Sequence, residues 1–202
     1  MALLEGKNAI ITGGSAGIGL VTAKRFVEEG AYVFINGRTQ TELDAAVKEI
    51  GGNVTGVQGD GSKPGERDRL YTAVADTGRG LDVVFANAAA IDVARIGEVT
   101  REHVRKALPL LNDGGSIILN SSDPDARGND AVRVYAAILA ALRSLAPMWP
   151  GDLRDRDIRV GVIGPDATAE FEDYHRGVVP PARYATAAEV ANAAVSLAAG
   201  RT

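Results

Sequence analysis

The chain has 202 residues, 46% hydrophobic and 5% aromatic, with a formal net charge of −4. That length and apolar share suit one domain, residues 1–202, around a single sizeable core, and the negative balance argues against a general grip on nucleic acid, which needs a basic face to neutralise phosphates. There is no cysteine and the only histidines are His103 and His175, so disulfides and thiolate chemistry are excluded and a metal site is not expected.

The first seven residues lack the basic-then-apolar order of a signal peptide, and no apolar run reaches membrane-spanning length, which predicts a cytoplasmic protein with no membrane partner. An apolar strand over 7–11 runs into Thr12-Gly13-Gly14-Ser15-Ala16-Gly17-Ile18-Gly19. In this pattern Gly13 makes the tight turn, Gly17 lets backbone approach a pyrophosphate, and Gly19 lets the next helix lie close to the sheet. A helix follows over 20–29, stopped by Gly30, and then a strand over 31–36. A glycine turn opening a helix presents free N–H groups and a positive dipole end to an anion, so the unit suits a phosphorylated ligand.

The alternation continues. The pattern predicts a helix over 41–50, a strand over 54–58, a charged helix over 64–76 begun by Pro64, and an apolar strand over 81–86. A short helix is expected over 100–111, with Asn112-Asp113-Gly114-Gly115 turning into a strand over 116–120. A helix over 131–146, a strand over 158–163 and a last helix over 187–199 complete the chain. Apolar strands alternating with helices predict an α/β fold: a Rossmann-type doubly wound parallel sheet covered on both faces.

Ligands of such sheets bind beyond the carboxyl ends of the strands, where Gly13, Arg38, Asp60, Asn87, Ser122 and Pro165 fall. An acid at the end of the second strand would bind the ribose hydroxyls of NAD; this chain has Asn36-Gly37-Arg38 there. A guanidinium takes a phosphate through two parallel hydrogen bonds, so the expected coenzyme is NADP(H), the other reading of Arg38 being a solvated surface arginine. Asp60 is either an acceptor for the adenine amino group or the cap of a turn.

Taken together, these motifs resemble the short-chain dehydrogenase/reductase family, from Gly6 to about residue 199. The loop from Thr12 to Gly19 matches the family's nucleotide loop, adding Ser15 and Ile18 to the expected coenzyme contacts. Phe85-Ala86-Asn87-Ala88-Ala89 resembles its fourth-strand Asn-Ala-Gly motif, with Ala89 in the glycine position. Gly115 to Ser122 resembles the strand that delivers a catalytic serine, Tyr135 lies at the family's spacing from Ser122, and Glu189-Val190-Ala191 resembles its late helix. The resemblance implies that Tyr135 exchanges a proton with the substrate oxygen while Ser122 orients it, on a small carbonyl or alcohol.

The family's lysine, four residues after the tyrosine, is Leu139 here. A leucine neither lowers the tyrosine pKa nor donates to ribose. The helix holding the family's relay asparagine is cut down to about 100–111. The Pro-Gly after the sixth strand is Pro165-Asp166, Pro147 and Pro150 end the Tyr135 helix early, and the covering loop is reduced to about 167–183. No counterpart of the family's last strand is read in the sequence, so the sheet is expected to be shortened at its C-terminal edge, which with the cut-down helix is expected to alter the family's usual homo-oligomer.

Three functions stay open: an impaired NADP(H)-dependent oxidoreductase, a noncatalytic NADP(H)-binding pseudoenzyme acting as sensor or interaction protein, and a remnant that binds no dinucleotide. Tyr135 reads equally as a core residue of an apolar helix face with Val132, Leu139 and Leu142, and Ser122 as a strand-end serine bonded to backbone. His103 is expected at a surface or interface, and His175 in a solvated helix or lid. A hydrolase elbow and a Walker loop are both absent.

Overall fold

A computed structural model describes residues 2–61, 63–87, 105–120, 151–164 and 185–200. Their elements run β1 Asn8–Ile11, α1 Gly17–Glu28, β2 Tyr32–Gly37, α2 Gln40–Ile50, β3 Val54–Gln58, α3 Pro64–Ala75, β4 Leu81–Ala86, β5 Leu111–Asn120, a short α4 Gly151–Asp155, β6 Arg159–Ile163 and α5 Ala187–Ala198. The six strands form one parallel sheet in the order β3-β2-β1-β4-β5-β6.

Side chains that alternate along each strand divide the core in two. On one face Ala9, Ile11, Val33, Ile35, Val83, Phe85 and Ile118 pack with Ala23 and Phe26 of α1, Leu43 and Ala46 of α2, and Val190, Ala194 and Val195 of α5. On the other, Ile10, Phe34, Val84, Ile117 and Leu119 pack with Leu70, Tyr71 and Val74 of α3, and with Ala107 and Leu153. The doubly covered parallel sheet expected from the sequence is therefore the fold. Alanines at the contact let α5 lie close against α1, where Arg25 Nε also donates to Asn192 Oδ1 at 3.1 Å.

Both ends of the sheet are tied. At the amino ends, Asp82 of β4 accepts the Asn8 N–H at 2.9 Å, Lys7 Nζ at 3.2 Å and Asn112 Nδ2 at 3.3 Å, joining β1, β4 and β5. At the edge, Arg159 of β6 donates to the Leu197 and Ala198 carbonyls, at 2.7 and 3.2 Å, where the negative end of the α5 dipole lies. A capping box starts α5: Thr186 Oγ1 accepts the Glu189 N–H while Glu189 accepts the Thr186 N–H.

One expected boundary is corrected. Leu111 does not end a helix; it opens β5 by pairing with Leu81, and only residues 105–107 before it are helical among those described. Asn112 to Gly115 then loops out of the ladder, which resumes at Ser116 opposite Val83. The Asn-Asp-Gly-Gly chemistry does turn the chain, with Gly114 at φ +75°, but inside a strand as a bulge. The predicted helix over 131–146 lies outside the described residues.

Candidate functional site

The carboxyl ends of β1 and β4 flank the point where the strand order reverses, and the glycine loop crosses it. Gly13 sits at φ +66°, a conformation in which a side chain is strained. A Cβ at Gly19 would stand 2.1 Å from the Gly13 carbonyl oxygen and 2.8 Å from Asn87 Nδ2, so the start of α1 rests on the turn itself and on the end of β4.

Two strands hold this turn in place. Asn36, 6% exposed at the end of β2, accepts the Gly13 N–H on Oδ1 at 2.9 Å and donates from Nδ2 to the Gly59 carbonyl at 3.3 Å. Its own carbonyl accepts the Gly14 N–H at 3.0 Å. From the other side, buried Thr12 accepts the Asn87 N–H on Oγ1 at 2.8 Å, and Asn120 Nδ2 donates to Asn87 Oδ1 at 2.7 Å. Sequence reasoning singled out Asn87 but missed Asn36, Thr12 and Asn120 as its supports. The available signal was a short polar residue ending each of three apolar strands.

What the turn presents is a bare helix end. Helix α1 begins at Gly17 with no side-chain cap and no acid in its first turn. The Leu20 N–H reaches back to the Ala16 carbonyl at 3.1 Å, and the three N–H groups before it, on Gly17, Ile18 and Gly19, have no intrahelical acceptor. An anion there meets N–H donors and the positive end of the dipole with no carboxylate in that first turn to repel it.

Arg38 follows β2 with its side chain exposed, and its guanidinium has no ion pair or hydrogen bond among the described residues. Its backbone carbonyl accepts Gln58 Nε2 at 3.2 Å, and the Gly59 N–H donates to the Gly37 carbonyl at 3.0 Å, so β2 and β3 stay joined beside it. Half-buried Asp60 follows. Its N–H donates to Glu66 Oε2 at 2.8 Å and its carbonyl accepts the Lys63 N–H at 2.9 Å. The Asp60 N–H, and after it the Lys63 ammonium, hold the Glu66 carboxyl below its ordinary range.

Of the residues expected from the sequence, Gly13, Ser15, Gly17, Ile18, Gly19, Arg38, Asp60 and Asn87 lie at the carboxyl ends of β1 to β4. Ser122, Tyr135, Leu139 and Pro165 lie outside the described residues. Among the described residues no group of three or more His, Cys, Asp and Glu side chains could hold a metal, and no helix is long and apolar enough to cross a membrane.

A doubly wound sheet with a braced glycine turn at its switch point defines a dinucleotide-binding fold. Comparison with known proteins narrows it. The family described as short chain dehydrogenase matches residues 7–110. An oxidoreductase of Sarocladium schorii, asL5, is 44% identical over 183 residues, covering 82% of this chain and 74% of that protein. An NADP-dependent (R)-specific alcohol dehydrogenase of Lentilactobacillus kefiri is 32% identical over 184 residues, covering 80% and 73%. The crystal structure of a short chain dehydrogenase from Burkholderia cenocepacia, in complex with NADP, superposes with a TM-score of 0.85 at 28% identity, covering 98% of this chain and 94% of that one. The chain belongs to the short-chain dehydrogenase family, oxidoreductases that bind a nicotinamide coenzyme.

Proposed function

We propose that the chain is an NADP(H)-dependent oxidoreductase of a small carbonyl or alcohol, slowed at proton transfer because Leu139 stands where a lysine is expected. The observation that carries the coenzyme reading is the pairing of an uncapped, acid-free start of α1 with Gly37 and an exposed Arg38 at the end of β2. The residues fit the group. The N–H donors of Gly17, Ile18 and Gly19 suit a pyrophosphate, Asn36 and Asn87 brace the turn that aims them, and Arg38 suits a further phosphate on the ribose. A structural neighbour bound to NADP and a relative named as NADP-dependent support the same choice.

The bound coenzyme supplies or accepts a hydride. The chain's own part is to orient the substrate oxygen through Ser122 and to exchange a proton with it through Tyr135. A phenol with no cation beside it titrates near ~10, so about one molecule in a thousand is phenolate at neutral pH. Alcohol oxidation, which needs the phenolate, loses most. Carbonyl reduction uses the protonated phenol and persists, at a rate lowered by a nicotinamide ribose that Leu139 does not hold.

A second reading, a noncatalytic NADP(H)-binding protein, is favoured by Leu139 in the lysine position together with Asp166 in the position where the family has the glycine of its Pro-Gly pair. One experiment separates the readings: calorimetric titration with NADPH and NADH, joined to a turnover screen over mixed ketones and aldehydes. Turnover with NADPH supports the enzyme, NADPH binding without turnover the binding protein, and no binding of either coenzyme refutes both.

A further inference from the structure

Strand β5 keeps two registers against β4. Leu111 pairs with Leu81 and Ser116 with Val83, so between these pairs β4 advances two residues and β5 five. The three extra residues decide which side chains meet further on. Carried past Leu111 without them, the first register would set Asn87 opposite Ile117 and, three being odd, would turn Ile117 and Leu119 away from the α3 face on which they pack. With them the ladder brings Asn120 opposite Asn87, where Asn120 Nδ2 donates to Asn87 Oδ1 at 2.7 Å. Asn120 Oδ1 is buried and accepts no hydrogen bond among the described residues, so the side chain is held by the strand register and by that one bond.

One side chain from outside both strands secures the extra residues. Arg156 follows α4 in a turn where the Ile158 N–H donates to the Leu153 carbonyl at 2.8 Å and the Asp157 N–H to the Arg154 carbonyl at 3.0 Å, with Asp157 at φ +53°. Its guanidinium donates from Nη1 to the Leu108 carbonyl at 3.0 Å, from Nη2 to the Leu111 carbonyl, and from Nε to Asp113 Oδ1 at 2.8 Å. Its own carbonyl accepts the Gly114 N–H at 2.8 Å. These partners lie before the bulge, at its start and within it. We infer that Arg156 is a positioning residue for the coenzyme crevice. It stands at the amino end of β5, and the strand from Ser116 to Asn120, about 13 Å long, separates its bulge from the crevice. By fixing the register it fixes the Asn120 amide, which in turn holds Asn87 beside the glycine turn, where a Cβ at Gly19 would meet Asn87 Nδ2 at 2.8 Å. The link to the coenzyme rests on the reading above; the register does not. A planar fork with fixed donors suits the task, and lysine, a single point charge, does not span the three acceptors.

The test compares the unaltered chain with Arg156→Ala, Arg156→Lys, Asn120→Ala and the Arg156→Ala/Asn120→Ala pair, read by thermal melting, by amide exchange in NMR spectra and by NADPH calorimetry. Val74→Ala, in the buried face of α3, is the control that lowers stability elsewhere. Arg156→Ala is expected to lower the melting temperature by about 6 °C. It should also speed exchange at Ile117, Ile118 and Leu119 about tenfold more than at Ala9 and Ile10, a bias that Val74→Ala does not produce. NADPH should weaken about tenfold in Asn120→Ala, about fivefold in Arg156→Ala, and no further in the pair than in Asn120→Ala, because both changes act through one contact. Val74→Ala should keep its affinity. Arg156→Lys should fall between the unaltered chain and Arg156→Ala, and it carries the same comparison if Arg156→Ala does not fold. Exchange that rises equally in β1 and β5 overturns the register role, and NADPH losses that multiply in the pair overturn the route through Asn120. If the unaltered chain binds no NADPH, the coenzyme reading falls, while the exchange pattern alone still decides whether Arg156 sets the register.

Discussion

Replacing Asn36 by alanine tests the brace on which the site depends. The side chain is 6% exposed and makes two bonds, accepting the Gly13 N–H at 2.9 Å and donating to the Gly59 carbonyl at 3.3 Å. Truncation leaves a donor and an acceptor without partners in a place water reaches poorly. Each such group costs about 1–3 kcal/mol, and the long bond to Gly59 belongs at the low end, so the loss should be about 3 kcal/mol. For a chain of this length that lowers the melting temperature by about 9 °C. Urea unfolding gives the free energy, and calorimetry should show NADPH weakened at the same time, because the Gly13 turn no longer holds the start of α1 over the crevice. Asn36→Asp provides the control. It keeps the acceptor for Gly13 but turns a second carboxylate oxygen toward the Gly59 carbonyl, so it should cost at least as much stability as alanine, and by setting a buried carboxylate under a phosphate site it should cost more affinity. A loss below about 0.5 kcal/mol for Asn36→Ala, with coenzyme affinity unchanged, would refute the argument, since it is smaller than one typical hydrogen bond.

Three further outcomes are expected. Arg38→Ala should weaken NADPH about tenfold and leave NADH nearly unchanged, the effect falling as salt is raised because the guanidinium is exposed; equal losses for the two coenzymes would remove its phosphate role. Leu139→Lys should raise carbonyl reduction with NADPH and shift its pH optimum downward, read from steady-state rates; unchanged turnover with coenzyme still bound would favour the binding protein. Glu29, whose carboxyl is held below its ordinary value of 4.5 chiefly by the Leu3 N–H and then by Arg25, stabilises the fold in its charged form. Glu29→Gln should therefore lower the urea midpoint at neutral pH, and the gap from the unaltered chain should close as pH falls below 4.5 through the depressed value.

The elements most legible in the sequence were those whose pattern is local. Apolar strands separated by glycine turns and amphipathic helices predicted β1 to β4 and α1 to α3 to within a few residues. The β5 region shows what local pattern misses. Asn112-Asp113-Gly114-Gly115 carries the chemistry of a turn, and only the pairing of Leu111 with Leu81, thirty residues earlier in the chain, makes it a bulge within a strand. The same distinction runs through the site. The glycine loop was readable because its residues adjoin in sequence. The Asn36 and Asn120 contacts join residues 23 and 33 positions apart, and no spacing rule anticipates them. The side chain packed against Gly37 is that of Ser15, a contact set by the height of the loop above β2 and by no local pattern.

The strand order also bears on how the protein is made. β1 lies in the middle of the sheet, bonded on one side to β2, which follows at once, and on the other to β4, which begins at Leu81. At about 5–20 residues per second, a ribosome needs about 4–14 s to pass from the end of one to the start of the other. Through that interval Ala9, Ile10 and Ile11 present an unsatisfied backbone edge to solvent or to neighbouring nascent chains. Slow synthesis before residue 81 should therefore invite misassociation, and a chaperone that shelters the first eighty residues should raise the yield of folded protein.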